Sequence, residues 1–335
     1  MPGAYSLGVD TFTVDELPAY VPSGSGEHGY ARIEKRGLST MHLVDRMAAE
    51  LGCPAREIGY AGLKDRHATT RQWFSFPSTV DLDAIERLAI EGVDVLEVGR
   101  HGNKLKLGHL RGNRFTVDVV CDVDLIDDAR TNLEDLAVRG VPNYFGPQRF
   151  GSGGRNLEKG LRILLGNPAR ARRRMRKPLL RLLLSSVQSE AFNRVLAARV
   201  DDCDEVRAGD VAYLHANGAC FLVEDALRER VRCSRFEISP SGPLPGPKCL
   251  EAAGAQRDLE ASVLAELGIE PAAFRPFASN PGERRPLRAR LTEPLAEPVA
   301  GGVRLGFTLN RGSFATTVLA ELFDDPPWVE DDEED

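Results

Sequence analysis

The sequence predicts an α+β protein: a mixed, mainly antiparallel sheet with helices, interrupted by a second, inserted domain. Three observations carry this. Several strand patterns in the first 150 residues are joined by short turns, which disfavours a doubly wound parallel sheet. The texture changes near Pro168, where a basic stretch leads into a long helical pattern. A strand pattern then returns at Arg304–Leu309, as if a first domain resumed.

Thr11–Leu17 and His28–Lys35 read as strands around a Pro/Gly/Ser turn at Pro22–Gly26. Ser39 or Thr40 can cap a helix running to Leu51, and Gly52 can stop it. A strand reaches Ala61, and after a charged loop Thr70, Gln72, Phe74 and Phe76 alternate with Arg71, Trp73 and Ser75. A helix near Leu82–Glu91, a strand at Val93–Val98 and a short strand at Lys104–Leu107 follow. Arg114–Val120 alternates with Phe115, Val117 and Val119 on one face, and Leu125–Val138 is helical. Pro178 suits the first turn of a helix whose apolar face holds Leu180, Leu183, Leu184, Val187, Ala191 and Val195. Ser239–Pro247 and Asn280–Pro286 read as Pro/Gly-rich loops, Leu259–Leu267 and Thr316–Leu322 as helices.

With 42% apolar and 28% charged residues, the 335-residue chain fits one large soluble domain or two ordinary ones. No apolar run approaches a membrane span and no export segment opens the chain, so the expected location is the cytoplasm. The six cysteines (Cys53, Cys121, Cys203, Cys220, Cys233, Cys249) form no C-x-x-C pair, which argues against zinc and against a disulfide framework. The net charge of −7 hides an uneven distribution. Eight acids and no base follow Phe323; removing them from the chain's 50 leaves 42 acidic against 43 basic residues. That tail is expected to be a disordered, solubilising end. Between Arg170 and Arg181 stand seven bases and no acid, either a nucleic-acid contact or a solvated helix start.

Three segments carry candidate chemistry. In Gly59-Tyr-Ala-Gly-Leu-Lys-Asp-Arg-His67, Asp65 stands between Lys64 and Arg66. Two flanking cations favour the ionised carboxylate, a nucleophile or base, and would attract phosphate. The alternative is a salt-bridged surface turn. Pro142-Asn-Tyr-Phe-Gly-Pro-Gln-Arg-Phe-Gly151 mixes aromatics, amides and an arginine as recognition of an unpaired base requires, or it is an aromatic-plugged turn. Arg311–Thr317 ends a strand and opens a helix that Ser313 can cap; Phe314 is either core or stacking surface. The string Gly24-x-Gly26-x-x-Gly29 precedes a strand rather than a helix, so it is read as a loop and not a dinucleotide site. No phosphate-loop or H-E-x-x-H string is present.

Together these segments resemble the TruD-type tRNA pseudouridine synthases. The shared pattern A-G-x-K-D-[RK]-x-A-x-T-x-Q is carried by Ala61, Gly62, Lys64, Asp65, Arg66, Ala68, Thr70 and Gln72. V-P-N-Y-F-G-x-Q-R-F-G and G-S-[FY]-A-T-[ST]-V follow in order, as do N-terminal matches at Asp10–Glu16, Gly24–His28 and Ile33–Gly37. The resemblance implies isomerisation of uridine 13 of tRNA to pseudouridine by a monomer, with tRNA as partner and neither cofactor nor metal. It implies a synthase domain at 1–168 and 289–323, a family-specific α/β insertion at 169–288, and the tail at 324–335. It makes Asp65 the catalytic aspartate and Phe12, Asn143, Phe145 and Phe314 substrate contacts, with Lys64 and Arg66 as supporting cations. One departure stands at Ser6, where many members carry a basic residue; Lys64 and Arg66 are the candidates to replace it.

Overall fold

The computed structural model describes residues 1, 4–5, 8–64, 66–166 and 168–323. Asp65, Ser6 and the acidic tail, all singled out by the sequence, lie outside the described residues. The chain forms two compact units, Met1–Ala137 with the residues from Leu291 onward, and Val138–Arg290.

The first unit opens with β1 (Ala4–Tyr5), β2 (Phe12–Pro18), β3 (His28–Arg36), α1 (Thr40–Leu51), β4 (Gly59–Tyr60) and β5 (Thr69–Phe76). It continues with α2 (Leu82–Glu86), β6 (Val93–His101), β7 (Leu110–Val120) and α3 (Ile126–Arg139), whose last two residues belong to the second unit. The second unit holds β8 (Val141–Pro142), α4 (Arg155–Leu165), α5 (Pro168–Arg174), α6 (Lys177–Ala197), β9 (Val211–Leu214) and β10 (Cys220–Leu222). It closes with α7 (Ala226–Ser234), β11 (Ile238–Leu244), α8 (Gly254–Glu266), β12 (Glu283–Pro286) and β13 (Arg288–Ala289). The chain then returns to the first unit as β14 (Leu291–Val299), β15 (Gly302–Asn310) and α9 (Ala315–Leu322).

The main sheet runs β14-β15-β7-β2-β5-β3-β6, with β1 on β7 and β4 on β5. Among the described residues β2 and β5 alone pair in parallel and the other neighbours of this sheet are antiparallel, so the expected mixed sheet is present. Ser39 caps α1 by accepting the His42 N–H, and Gly52 ends it in the left-handed region at φ 65°. Leu43, Val44 and Met47 of α1 pack on Ile33, Phe74 and Phe76 of the sheet. Trp73 is buried on the other face with Tyr30, Ala61 and Leu105, so β5 is covered on both sides despite its alternating sequence.

Several expectations are corrected. Lys104–Leu107 is no strand: it is a loop whose Leu105 plugs the second face of the sheet. The helix at Leu82 stops at Glu86, where Arg87 leaves helical geometry. Gly24 and Gly26 do lie in a loop and Gly29 in a strand; a Cβ on Gly26, at φ +129°, would stand 2.3 Å from the His101 carbonyl carbon. Among the described residues no helix is long and apolar enough to cross a membrane.

In the second unit α6 is the hub. The predicted face from Leu180 to Val195 meets Leu164, Val263, Phe274 and Phe277. Phe192 and Leu196 serve a separate cluster with Phe145, Cys203 and Leu287. The two compact units meet in sequence at Ala137 and Val138, and α4 packs along α6, with Leu157, Leu161 and Leu164 joining its core. Ser239–Pro247 and Asn280–Pro286 are also corrected: they contain strands β11 and β12 of a sheet ordered β10-β9-β11-β12. Proline removes a ladder donor, which normally excludes it from a central strand. Here Pro240 is paired with Ala212 of β9 and its carbonyl accepts the Leu287 N–H at 2.9 Å, while Pro243 is paired with Arg284 of β12; the two ladders overlap at Ser241 alone.

Candidate active site

The sequence-predicted residues fall in both units: Phe12, Lys64, Arg66 and Phe314 in the first, Asn143 and Phe145 in the second. In the first unit the segment before Asp65 is inverted relative to polarity. Leu63 is 63% exposed while Lys64 is 8% exposed. The expectation of an open cation at Lys64 is thus corrected: its Nζ lies 2.9 Å from Glu16 Oε2 and donates to Asn113 Oδ1 at 2.8 Å.

Alternation along β2 explains the partner. Phe12, Val14 and Glu16 occupy the buried side of the strand, so a carboxylate stands where an apolar residue would normally be. Sequence reasoning missed Glu16, and this acid at a period-2 core position was the available signal. Burial pushes the Glu16 carboxyl upward from its ordinary value, and the Lys64 charge only partly offsets that. Neither Glu16 oxygen has a well-directed hydrogen bond among the described residues; the pair is held by charge and distance.

The backbone of the same segment is tied down separately. The Lys64 N–H donates to Thr40 Oγ1 at 2.8 Å, Thr40 Oγ1 to Gln72 Oε1 at 3.1 Å, and Gln72 Nε2 to the Gly62 carbonyl at 3.1 Å. Gly62 leaves room for the ion pair, since a Cβ there would stand 2.8 Å from Lys64 Nζ and 3.2 Å from Glu16 Oε2. The glycine, lysine, threonine and glutamine around Asp65 are therefore parts of one clamp built from β2, α1, β5 and β7. Arg66 is exposed and forms no ion pair among the described residues.

Phe12 is buried, its ring parallel to Phe115 at 6.1 Å. Phe314, at 36% exposure, is the open aromatic of the set. It, rather than Ser313, occupies the N-cap position of α9, and Thr317 Oγ1 donates to its carbonyl.

In the second unit Asn143 and Phe145 are brought together by Arg285. Arg285 donates to Asn143 Oδ1 at 2.5 Å, and its guanidinium carbon lies 4.0 Å from the Phe145 ring centroid. Arg149 stands 5.0 Å from the same ring, and Phe192 meets it edge-on at 5.6 Å. The Phe145 backbone is held by Asn193, which accepts its N–H at 2.9 Å and donates to its carbonyl at 3.0 Å. Asn143 Nδ2 donates to the Pro286 carbonyl at 3.0 Å. Both residues are buried and fixed, so the open alternative for this segment resolves toward a packed turn carrying arginines. Burial, then Arg149, pushes the Arg285 guanidinium down to about 10. Burial, then Arg181, pushes Arg149 downward as well. Arg285 falls in what the sequence read as a loop, and nothing local marked it.

The fold matches a crystal structure assigned to tRNA pseudouridine synthase D (TruD) of Methanosarcina mazei with a TM-score of 0.77, over 97% of this chain and 94% of that one, at 23% identity. A family model described as tRNA pseudouridine synthase D (TruD) matches residues 8–173 and 155–322. The tRNA pseudouridine synthase D of Anaeromyxobacter sp. strain Fw109-5 is 45% identical over 325 residues, spanning 96% of this chain and 92% of its own. That of Syntrophotalea carbinolica is 39% identical over 383 residues and 96% of each chain. The chain belongs to the TruD family of tRNA pseudouridine synthases.

Proposed function

We propose that this protein converts uridine 13 of tRNA to pseudouridine with Asp65 as nucleophile. In this isomerisation the C1′–N1 bond breaks, the uracil turns, and C5 bonds to C1′. The proton lost from C5 balances the one gained at N1, so the reaction is redox-neutral. The target base leaves its stack first, because a carboxylate cannot reach C1′ inside a packed helix; flipping costs a few kcal/mol. Stacking on an aromatic returns about 1–3 kcal/mol, and Phe314 is the exposed ring suited to that role. Phe12 is buried in the first unit and Phe145 in the second, where Arg285 aligns Asn143.

The observation that carries this reading is the clamped segment that ends, in sequence, just before Asp65, with Gly62 and Lys64 bonded from three strands and a helix. Pre-organisation of that kind is what a nucleophile needs, since small misplacements of a reacting group cost large factors in rate. The test is unmodified tRNA bearing uridine 13, incubated with wild type or Asp65→Asn and no added cofactor, then mapped by carbodiimide-blocked reverse transcription. Wild type gives a stop at that position and Asp65→Asn gives none. Turnover by Asp65→Asn near the wild-type rate would remove Asp65 from the nucleophile role.

A further inference from the structure

The second unit carries a band of cations that its own fold leaves unneutralised. Several other arginines of the unit are paired: Arg162 with Glu158 at 2.5 Å, Arg194 with Glu190 at 2.8 Å, Arg207 with Asp202 at 2.6 Å, and Arg232 with Glu229 at 2.6 Å. Arg172, Arg173, Arg174, Arg176, Lys177 and Arg181 are exposed, and among the described residues none lies within ion-pair distance of a carboxylate. The sequence explains why: no acid occurs between residues 168 and 189. α5 is nonetheless seated, with Ala171 and Met175 packed on the core that holds Leu164, Leu180 and Leu184. Its arginines therefore point outward from a fixed base.

The band continues along α6. Lys177, Arg181 and Ser185 are spaced four residues apart, one face of a helix, with about 6 Å between successive positions. Arg149 Nη1 donates to Ser185 Oγ at 3.5 Å, which places its guanidinium one turn beyond Arg181. The same guanidinium stands 5.0 Å from the Phe145 ring. Positive charge thus runs from α5 through Lys177 and Arg181 to Arg149, and ends at the aromatic next to Asn143.

We propose that this band is a phosphate track: Arg172, Arg173, Arg174, Arg176, Lys177 and Arg181 hold successive phosphodiesters of the tRNA backbone and Arg149 meets the strand beside Phe145. Guanidinium groups suit the role because their planar donors match phosphate oxygens. The proposal rests on tRNA being the substrate but not on the identity of the nucleophile.

The test is tRNA binding by filter retention across a KCl series, with no turnover required. The observed slope of log K against log salt reports the number of phosphates neutralised, at about 0.7–0.9 per contact. The fourfold Arg→Gln variant at positions 172, 173, 174 and 176 is expected to flatten the slope by about three and to weaken binding more than tenfold at low salt. Arg181→Gln and Arg149→Gln each flatten it by about one. Arg162→Gln, which removes a paired charge of the same unit, leaves the slope unchanged. Melting curves verify that each variant is folded. Wild-type slopes in the fourfold and Arg181→Gln proteins would overturn the track, as would an equal loss in Arg162→Gln, which would signify net charge alone. A wild-type protein that binds tRNA with the expected slope but forms no pseudouridine would overturn the synthase reading and leave the track standing.

Discussion

Arg284 in the second unit and Lys64 in the first are both buried cations facing a glutamate, yet only one of the two glutamates is saturated. Glu260 receives both its oxygens' bonds from Arg284, at 2.8 and 2.9 Å. Gln256 Nε2 donates to it as well, while Gln256 Oε1 accepts from Arg199, which grips Asp210 with two further bonds. Arg284 also donates to Ser241 Oγ, so the chain of polar groups links α6's C-terminal end, α8, β11 and β12. Glu16 faces the Lys64 ammonium at 2.9 Å, with a weaker contribution from the Trp73 backbone, and has no well-directed bond among the described residues. A saturated network holds elements together; an under-bonded pair contributes less to global stability and fixes where one loop lies. The same residue types thus serve the fold in one unit and the candidate site in the other.

The largest stability effect is expected at the saturated network. Arg284→Met leaves the Glu260 carboxylate buried and uncompensated, and urea unfolding should show a loss of about 3–5 kcal/mol. A loss below 1 kcal/mol would mean the network is not structural. Glu16→Gln should cost less, about 1–3 kcal/mol, because Asn113 still holds the ammonium. Its larger effect is expected in turnover: kcat for pseudouridine formation should fall on the order of tenfold to a hundredfold, with tRNA affinity unchanged. If kcat follows only the fraction of folded protein, the clamp is merely structural.

Acid separates the units by sign. The Glu16 carboxyl is raised by burial, so its contribution to stability is fully present below 4.5 and is lost as pH rises through the raised value. His215 behaves in the opposite sense. Burial, then Arg288 and Arg290, lowers it from 6.5 to about 4, so its contribution is present above pH 6.5 and lost as pH falls toward 4. Melting temperature against pH should steepen below 6.5 in wild type and lose part of that slope in His215→Gln. Glu16→Gln should remove the opposing term and leave a steeper acid decline; curves that superimpose on wild type would show that neither group titrates in the folded state.

The smallest effect is expected at Gly62→Ala. Its Cβ would meet the end of a flexible lysine rather than backbone, so stability should change by about 1 kcal/mol. Turnover should still drop, since the displaced atom is Lys64 Nζ. Wild-type kcat in this variant would break the link between the ion pair and the loop.

Much of this was legible in the chain. Period-2 alternation marked Phe115, Val117 and Val119 as core, and period 3.6 marked the buried face of α6, because local geometry alone sets those repeats. Boundaries were less legible where tertiary contact overrode composition. Prolines at 240 and 243 read as loop, yet the strand that holds them pairs with β9 and β12, neighbours that tertiary structure supplies. Lys104–Leu107 read as a strand, and only the need to cover Trp73 makes it a plug.

By itself the sequence determined the α+β class, the family and the acid-free basic stretch, since these follow from residue type and spacing along the chain. Tertiary structure alone decided that Lys64 turns inward to Glu16, 48 positions away in sequence. It likewise decided that Arg285 holds Asn143, separated by 142 positions. Such pairings depend on which strands become neighbours. No local pattern encodes that, because a buried charge is tolerated only where the folded chain supplies its partner.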